Sequence, residues 1–175
     1  MSESLSLRRP DHPRVVPLAL LAAGLGLLGG AMVLEHGLGI APCVLCVYQR
    51  VAPAVVVVLA AVAAWPAIPM HGARRLVLLI ALAFLANTVL AGYHIGVEQH
   101  WWAGTDACGN GDAAPVSLSS SLADLRAGLT NPEVVPCNTV AWSFLGISVA
   151  GYNMILSMML AAAALWATRR PHLWR

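Results

Sequence analysis

Long apolar runs alternate with short polar segments along this chain of 175 residues. The apolar runs cover residues 15–34, 46–68, 76–97 and 139–166. A helix needs about 20 apolar residues to cross the hydrocarbon core of a bilayer, so each run is long enough to span it. The pattern predicts an all-α membrane protein: a four-transmembrane-helix bundle that forms a single membrane domain over residues 1–175.

The composition favours the same class of protein. The chain is 59% hydrophobic and 10% charged, whereas a soluble domain carries about 25% charged residues. No small-residue cleavage pattern follows the first run before Glu35, so we interpret that run as a retained span rather than a signal peptide. The sequence has no basic patch with interleaved aromatic residues, and we expect no nucleic-acid partner.

The arginines divide unequally between the two sides of a four-span arrangement. Arg50 and Arg126 fall on one side, and the others fall on the opposite side: Arg8, Arg9, Arg14, Arg74, Arg75, Arg169, Arg170 and Arg175. Because arginine-rich loops stay in the cytoplasm, both termini are predicted to be cytoplasmic. Loops 35–45 and 98–138 then face outward.

The longer outer loop contains leucines at helical spacing, namely Leu118, Leu122, Leu125 and Leu129. Ser121 and Asp124 resemble a capping box at the start of this segment. We predict a short amphipathic helix that lies on the membrane surface, the alternative being an irregular loop that happens to contain leucines.

The four cysteines lie in, or at the edge of, the two outer loops: Cys43 and Cys46 at the first, Cys108 and Cys137 in the second. Disulfides persist outside the cytoplasm, and four cysteines allow three pairings, of which one bridge per loop is the simplest. A structural bridge would suit Cys108 and Cys137, because it closes a long loop. Cys43-x-x-Cys46 closes almost nothing and has the spacing of a redox-active pair. The paired spacing of a Cys₄ zinc site is missing in the second loop, so we predict no metal.

Cys46 opens the second predicted span, where free backbone N–H groups and the helix dipole favour an anion. Arg50 lies one turn further on, on the same face. We therefore hypothesise that Cys46 is a thiolate stabilised by Arg50, the alternative being that Arg50 only extends to the lipid headgroups. Two disulfides on one side of the membrane indicate a thiol relay that ends at a membrane-soluble acceptor such as a quinone. Glu35 and Glu98 are interpreted as solvated residues at span ends.

The stretch Pro42-Cys43-Val44-Leu45-Cys46-x-Tyr48-x-Arg50, four spans, and two further cysteines before the last span resemble the DsbB family of disulfide bond formation proteins. Residues 93–98 and 135–146 also resemble the family's third-span end and fourth-span start. The resemblance implies a thiol:quinone oxidoreductase of the bacterial inner membrane. Its partners would be the lipid bilayer, a periplasmic DsbA-like thiol oxidase and the membrane quinone pool, with ubiquinone or menaquinone as the cofactor.

The resemblance also implies roles for particular residues. Cys108 would form the mixed disulfide with the partner, Cys137 would exchange with Cys43, and Cys46 would donate to the quinone. Arg50 would lie beside the quinone, and His94 would line the same site or else be an ordinary packing histidine. Gln49 stands where some relatives carry Glu.

Two other functions are compatible with the sequence. One is a quinone-reducing enzyme that resembles vitamin K epoxide reductase, although the Cys-x-x-Cys pair of that family belongs to a later span. The other is a non-catalytic membrane protein stapled by disulfides. The Cys43-x-x-Cys46 pair at a helix start, with Arg50 on the same face, favours the thiol:quinone oxidoreductase because stapling does not require it.

Overall fold

The computed structural model describes residues 14–105, 108 and 135–174. Within them the apolar runs form four long helices: α1 (Val15–Met32), α2 (Val44–Ala64), α3 (Met70–Glu98) and α4 (Val149–Thr168). A π-helical turn, Val33–Gly37, extends α1, and each of the four helical segments is long and apolar enough to cross a membrane. The predicted fold class is confirmed. The amphipathic helix predicted around residues 118–129 lies outside the described residues.

The fourth helix begins well after residue 139, where the fourth apolar run starts. A small antiparallel hairpin comes first, with β1 (Ser143–Phe144) paired to β2 (Ile147–Ser148). Its turn places Leu145 at φ 50° and Gly146 at φ 77°, a region that glycine adopts at little steric cost. Ser148 then caps α4, because its hydroxyl accepts a hydrogen bond from the Gly151 N–H at 3.2 Å.

The bundle has small side chains inside and large apolar ones outside. α3 packs against both α2 and α4, and α1 packs against α2. The main core combines several buried alanines with a few larger residues: Ala60, Ala63, Ala73, Ala81, Ala161, Ala164, Val56, Val77, Ile80 and Phe84. Large apolar side chains such as Leu79, Leu82 and Val89 are exposed. This arrangement suits lipid surroundings, where small residues allow helices to approach closely and no water penalises an apolar exterior.

The two ends of the bundle differ in chemistry. At one end arginines bond to the carbonyl groups that end two helices: Arg14 to Ala64 O at 2.7 Å, and Arg74 to Thr168 O at 2.9 Å. A cation there complements the negative end of the helix dipole. At the opposite end α2 and α4 begin, α3 ends and the cysteines lie. That end therefore holds the candidate site.

Candidate functional site

Cys43 and Cys46 form the first part of the site, at the start of α2. Cys43 is the N-cap residue of that helix, with extended backbone, and its sulfur accepts a hydrogen bond from the Cys46 N–H at 3.3 Å. The two sulfurs lie 2.9 Å apart as free thiols. Cys43 is only 6% exposed, whereas Cys46 is half-buried. The helix start therefore holds both thiols within reach of one another.

Cys108 and Cys137 form the second part, as a disulfide that connects the two sides of the long loop. Both are buried, and together with Cys43, Leu45 and Val97 they form one apolar cluster at this end of the bundle. The structure thus brings all four predicted catalytic cysteines to the same end, with the loop bridge packed against the Cys-x-x-Cys pair.

Arg50 and the helix start serve different partners from those hypothesised. The first-turn N–H group donates to Cys43 rather than to Cys46, and the Arg50 guanidinium donates to Glu35 Oε2 at 2.5 Å. The pKa of the Cys43 thiol is lowered, chiefly by a hydrogen bond from the Cys46 side chain, against the opposing effect of burial and with help from His94. The contacts of the described residues therefore favour a thiolate on Cys43.

His94 lies behind Cys43 on α3. Its Nε2 is 3.5 Å from the Cys43 sulfur and 3.8 Å from Glu98 Oε1, and its Nδ1 is 2.8 Å from Gln49 Nε2. Glu98 is only 8% exposed and accepts a hydrogen bond from the Ser148 hydroxyl at 2.6 Å. The interpretation of Glu98 as a solvated residue is wrong, because its carboxylate is buried and partnered within the protein. Glu35 remains partly exposed and is paired with Arg50.

The sulfurs of Cys43 and Cys46 and a ring nitrogen of His94 lie within 4.8 Å of one another. These are ligand types that a thiophilic cation accepts. A cation held there would occupy both thiols, so it would block thiol chemistry at this pair.

A cavity of about 280 Å³ opens beside Cys46, between α1, α2 and the start of α4. Its wall is mostly apolar, with Leu27, Leu34 and Ile40 among the lining residues. The polar side chains that reach it are few: Cys46, Gln49, Arg50, Tyr152 and Asn153. Ligand sites have this character, a largely apolar cleft with a few convergent polar groups. His94 is not among the described residues that line the cavity. It contacts Gln49 Nε2 through its own Nδ1 instead.

Sequence reasoning missed three polar residues of α3 and α4 that bond to one another inside the bundle: Asn87, Asn153 and Ser157. Asn87 and Ser157 are buried in the bundle, and the Asn153 amide bonds to Gln49 at 2.5 Å. Their signal was present, because polar side chains inside predicted membrane spans are rare and usually face a partner helix or a cavity.

Comparison with known proteins shows the family of the chain. The family model for "Disulfide bond formation protein DsbB" matches residues 13–167. The chain belongs to the DsbB family. As a member of the DsbB family it is a disulfide-forming oxidoreductase and a multi-pass protein of the inner membrane.

Individual members of the DsbB family align over most of the chain. "Disulfide bond formation protein B" from Azoarcus sp. (strain BH72) is 31% identical over 166 residues, which cover 90% of this chain and 93% of the relative. The protein of the same name from Xylella fastidiosa (strain Temecula1) is 31% identical over 145 residues, 80% of each chain. That from Pseudomonas syringae pv. tomato is 31% identical over 153 residues, 83% of this chain and 85% of the relative. No solved structure gives a significant match.

Proposed function

We propose that this protein is a thiol:quinone oxidoreductase that reoxidises a periplasmic DsbA-like dithiol protein. One observation carries the proposal: the Cys43–Cys46 pair contacts both the loop disulfide and the apolar cavity. Cys43 packs in the cluster that contains the Cys108–Cys137 bridge, and Cys46 lines the apolar cavity. A pair that only stapled the loop would not need a sulfur in a cavity wall.

Two successive thiol–disulfide exchanges carry the electrons from the partner to the Cys43–Cys46 pair. A thiolate of the partner attacks the Cys108–Cys137 disulfide, and the partner's second thiolate then resolves the mixed disulfide and leaves oxidised with both loop cysteines reduced. Cys137 next exchanges with the Cys43–Cys46 disulfide and restores the loop bridge. Two electrons and two protons now reside on Cys43 and Cys46. Cys43 and Cys137 pack in the same apolar cluster, so this second exchange takes place between neighbouring residues.

The volume and the lining of the cavity support a quinone as its ligand. Its apolar wall suits a ring with a hydrocarbon tail, and Arg50 and Asn153 supply N–H donors for carbonyl oxygens. A bound quinone supplies a two-electron, two-proton acceptor. The residues of the chain hold the thiol pair beside it, and Glu35 fixes the Arg50 guanidinium on the cavity side. Ubiquinone and menaquinone both have these features.

The orientation follows from the charges at the two ends. Arg14, Arg74, Arg169 and Arg170 lie at the end opposite the cysteines. Under the positive-inside rule that end faces the cytoplasm, so both termini are cytoplasmic and the cysteines face the periplasm. Disulfides form and persist in that compartment.

The test uses the purified full-length protein, a reduced DsbA-like protein and ubiquinone or menaquinone. We expect oxidation of the partner to be coupled to quinone reduction, and Cys46→Ser to abolish the quinone step. Cys108→Ser should abolish reaction with the partner. Val47→Ala, on the exposed face of the same helix turn, serves as the control. Full activity of Cys46→Ser, or no quinone reduction by the unmodified protein, would refute the proposal.

A further inference from the structure

A continuous chain of hydrogen bonds connects the middle of the bundle to the Cys43 sulfur. It begins at Asn87, whose Nδ2 lies 2.9 Å from Ser157 Oγ and 3.3 Å from Asn153 Oδ1. It continues from Asn153 Nδ2 to Gln49 Oε1 at 2.5 Å and from Gln49 Nε2 to His94 Nδ1 at 2.8 Å. The chain crosses three helices and ends on the face of His94 opposite Cys43.

The positions of the donors and acceptors fix the direction of each hydrogen bond from Asn87 to His94. Asn153 Oδ1 receives hydrogen bonds from Asn87 and from the Ser157 hydroxyl, so its amide nitrogen faces Gln49. Gln49 then accepts through oxygen and donates through nitrogen, which makes His94 Nδ1 an acceptor. A neutral imidazole has one N–H group. In His94 that group is therefore at Nε2.

The His94 Nε2–H group lies 3.5 Å from the Cys43 sulfur. We propose that Gln49 and Asn153 are positioning residues that hold His94 in its Nε2–H tautomer, so that it donates a hydrogen bond to the Cys43 thiolate. Together with the Cys46 N–H at 3.3 Å, the thiolate then has two donors from two different helices. His94 is buried and Cys46 is half-buried, and a hydrogen bond to an anion is stronger in such surroundings than in water.

The consequence for catalysis rests on the proposed function. Closing the Cys43–Cys46 disulfide requires Cys43 as the thiolate. The new S–S bond forms as two electrons leave the pair for the acceptor in the cavity. The Cys46 thiol proton and the proton that Cys43 released to solvent on ionising together complete the reduced product. A His94 ring with its proton on Nδ1 would present a lone pair to the sulfur and would oppose this state.

The groups that face Cys43 define what else can shift its protonation. α2 contributes the Cys46 thiol, and α3 contributes His94, Glu98 and Tyr93. Glu98 is a competing acceptor for the His94 N–H group, because its Oε1 lies 3.8 Å from the same nitrogen, compared with 3.5 Å for the Cys43 sulfur. α4 contributes Asn153 and Ser148, the residue that caps this helix, to the described part of the network. Neither side chain carries a charge. The loop disulfide does not titrate.

The test isolates Cys43 in a background that carries Cys46→Ser, Cys108→Ser and Cys137→Ser. The rate of alkylation of the remaining thiol is measured against pH in detergent. In this background, Gln49→Leu and Asn153→Leu should each move the midpoint upward by about one pH unit, the size of effect expected when a hydrogen bond to a thiolate is lost. Tyr152→Phe, next to Asn153 but bonded to Phe144 O instead, should leave the midpoint unchanged.

A second measurement reads the tautomer directly. In protein with ¹⁵N-labelled histidine, the His94 ring signals are assigned by their loss in His94→Gln, and they should show hydrogen on Nε2. Unchanged midpoints in both leucine variants, or an Nδ1–H ring in the background protein, would overturn the proposal. If a leucine variant fails to fold, the tautomer of His94 in the background protein still tests the proposal. Neither measurement uses quinone or a partner, so failure here is distinct from failure of the proposed function.

Discussion

Gly30 provides a direct way to fill the proposed quinone cavity without disturbing the helices. It lines the cavity from α1, and a Cβ added at this position meets nothing within 4 Å. Gly29, its neighbour, also has open space for an added Cβ but is not among the lining residues. Gly30→Leu and Gly29→Leu therefore change helix propensity equally, and only Gly30→Leu places a side chain in the cavity.

The size of the effect follows from the volume displaced. A leucine side chain has four carbons, and at roughly 30 Å³ each, the share of a water molecule in the liquid, it takes about 120 Å³. That is a large part of the cavity, which holds about 280 Å³. Displacing about four ligand atoms at ~0.3 kcal/mol each costs about 1.2 kcal/mol. A loss of this size raises the apparent KM for quinone about tenfold.

The assay has two parts. Steady-state quinone reduction by reduced partner protein should show the raised KM in Gly30→Leu and a KM close to the unmodified value in Gly29→Leu. Single-turnover oxidation of the partner by the Cys108–Cys137 bridge should be unchanged in both, because it does not involve the cavity. Equal KM values for the two variants would refute the assignment of this cavity to the quinone.

Two further predictions concern the polar groups of the site. Arg50→Ala should raise the apparent KM for quinone by about tenfold, the loss of one charge-assisted hydrogen bond, while circular dichroism shows unchanged helix content; an unchanged KM would contradict the role of Arg50. Because the pKa of Cys43 is lowered, its thiolate should persist as pH falls, and alkylation of Cys43 should decline only below the range of an ordinary thiol, near pH 8.5. His94→Ala should move that decline to higher pH, and a profile identical to the unmodified protein would argue against the His94 contact.

Much of the site was predictable because its chemistry is local. Cys43 and Cys46 are one helical turn apart, so their proximity follows from spacing alone. The Arg50–Glu35 and Ser148–Glu98 contacts were not predictable, because each joins a helix to a residue outside that helix, and their approach depends on tertiary packing. The length of an apolar run identifies a span. A weakly amphipathic helix in lipid, however, does not reveal which of its faces turns inward.

The sequence by itself determined the four spans, their membrane class and the placement of all cysteines at the ends of the hydrophobic runs or in the loops between them, since these depend on run length and composition. Only the tertiary structure decided that Cys46 lines a cavity, that Cys43 receives the helix-start hydrogen bond, and that Asn153 reaches Gln49 from α4. The physical reason is that these contacts join helices that are distant in the chain. Their geometry is set by how small side chains let the helices approach, and not by any local pattern of residues.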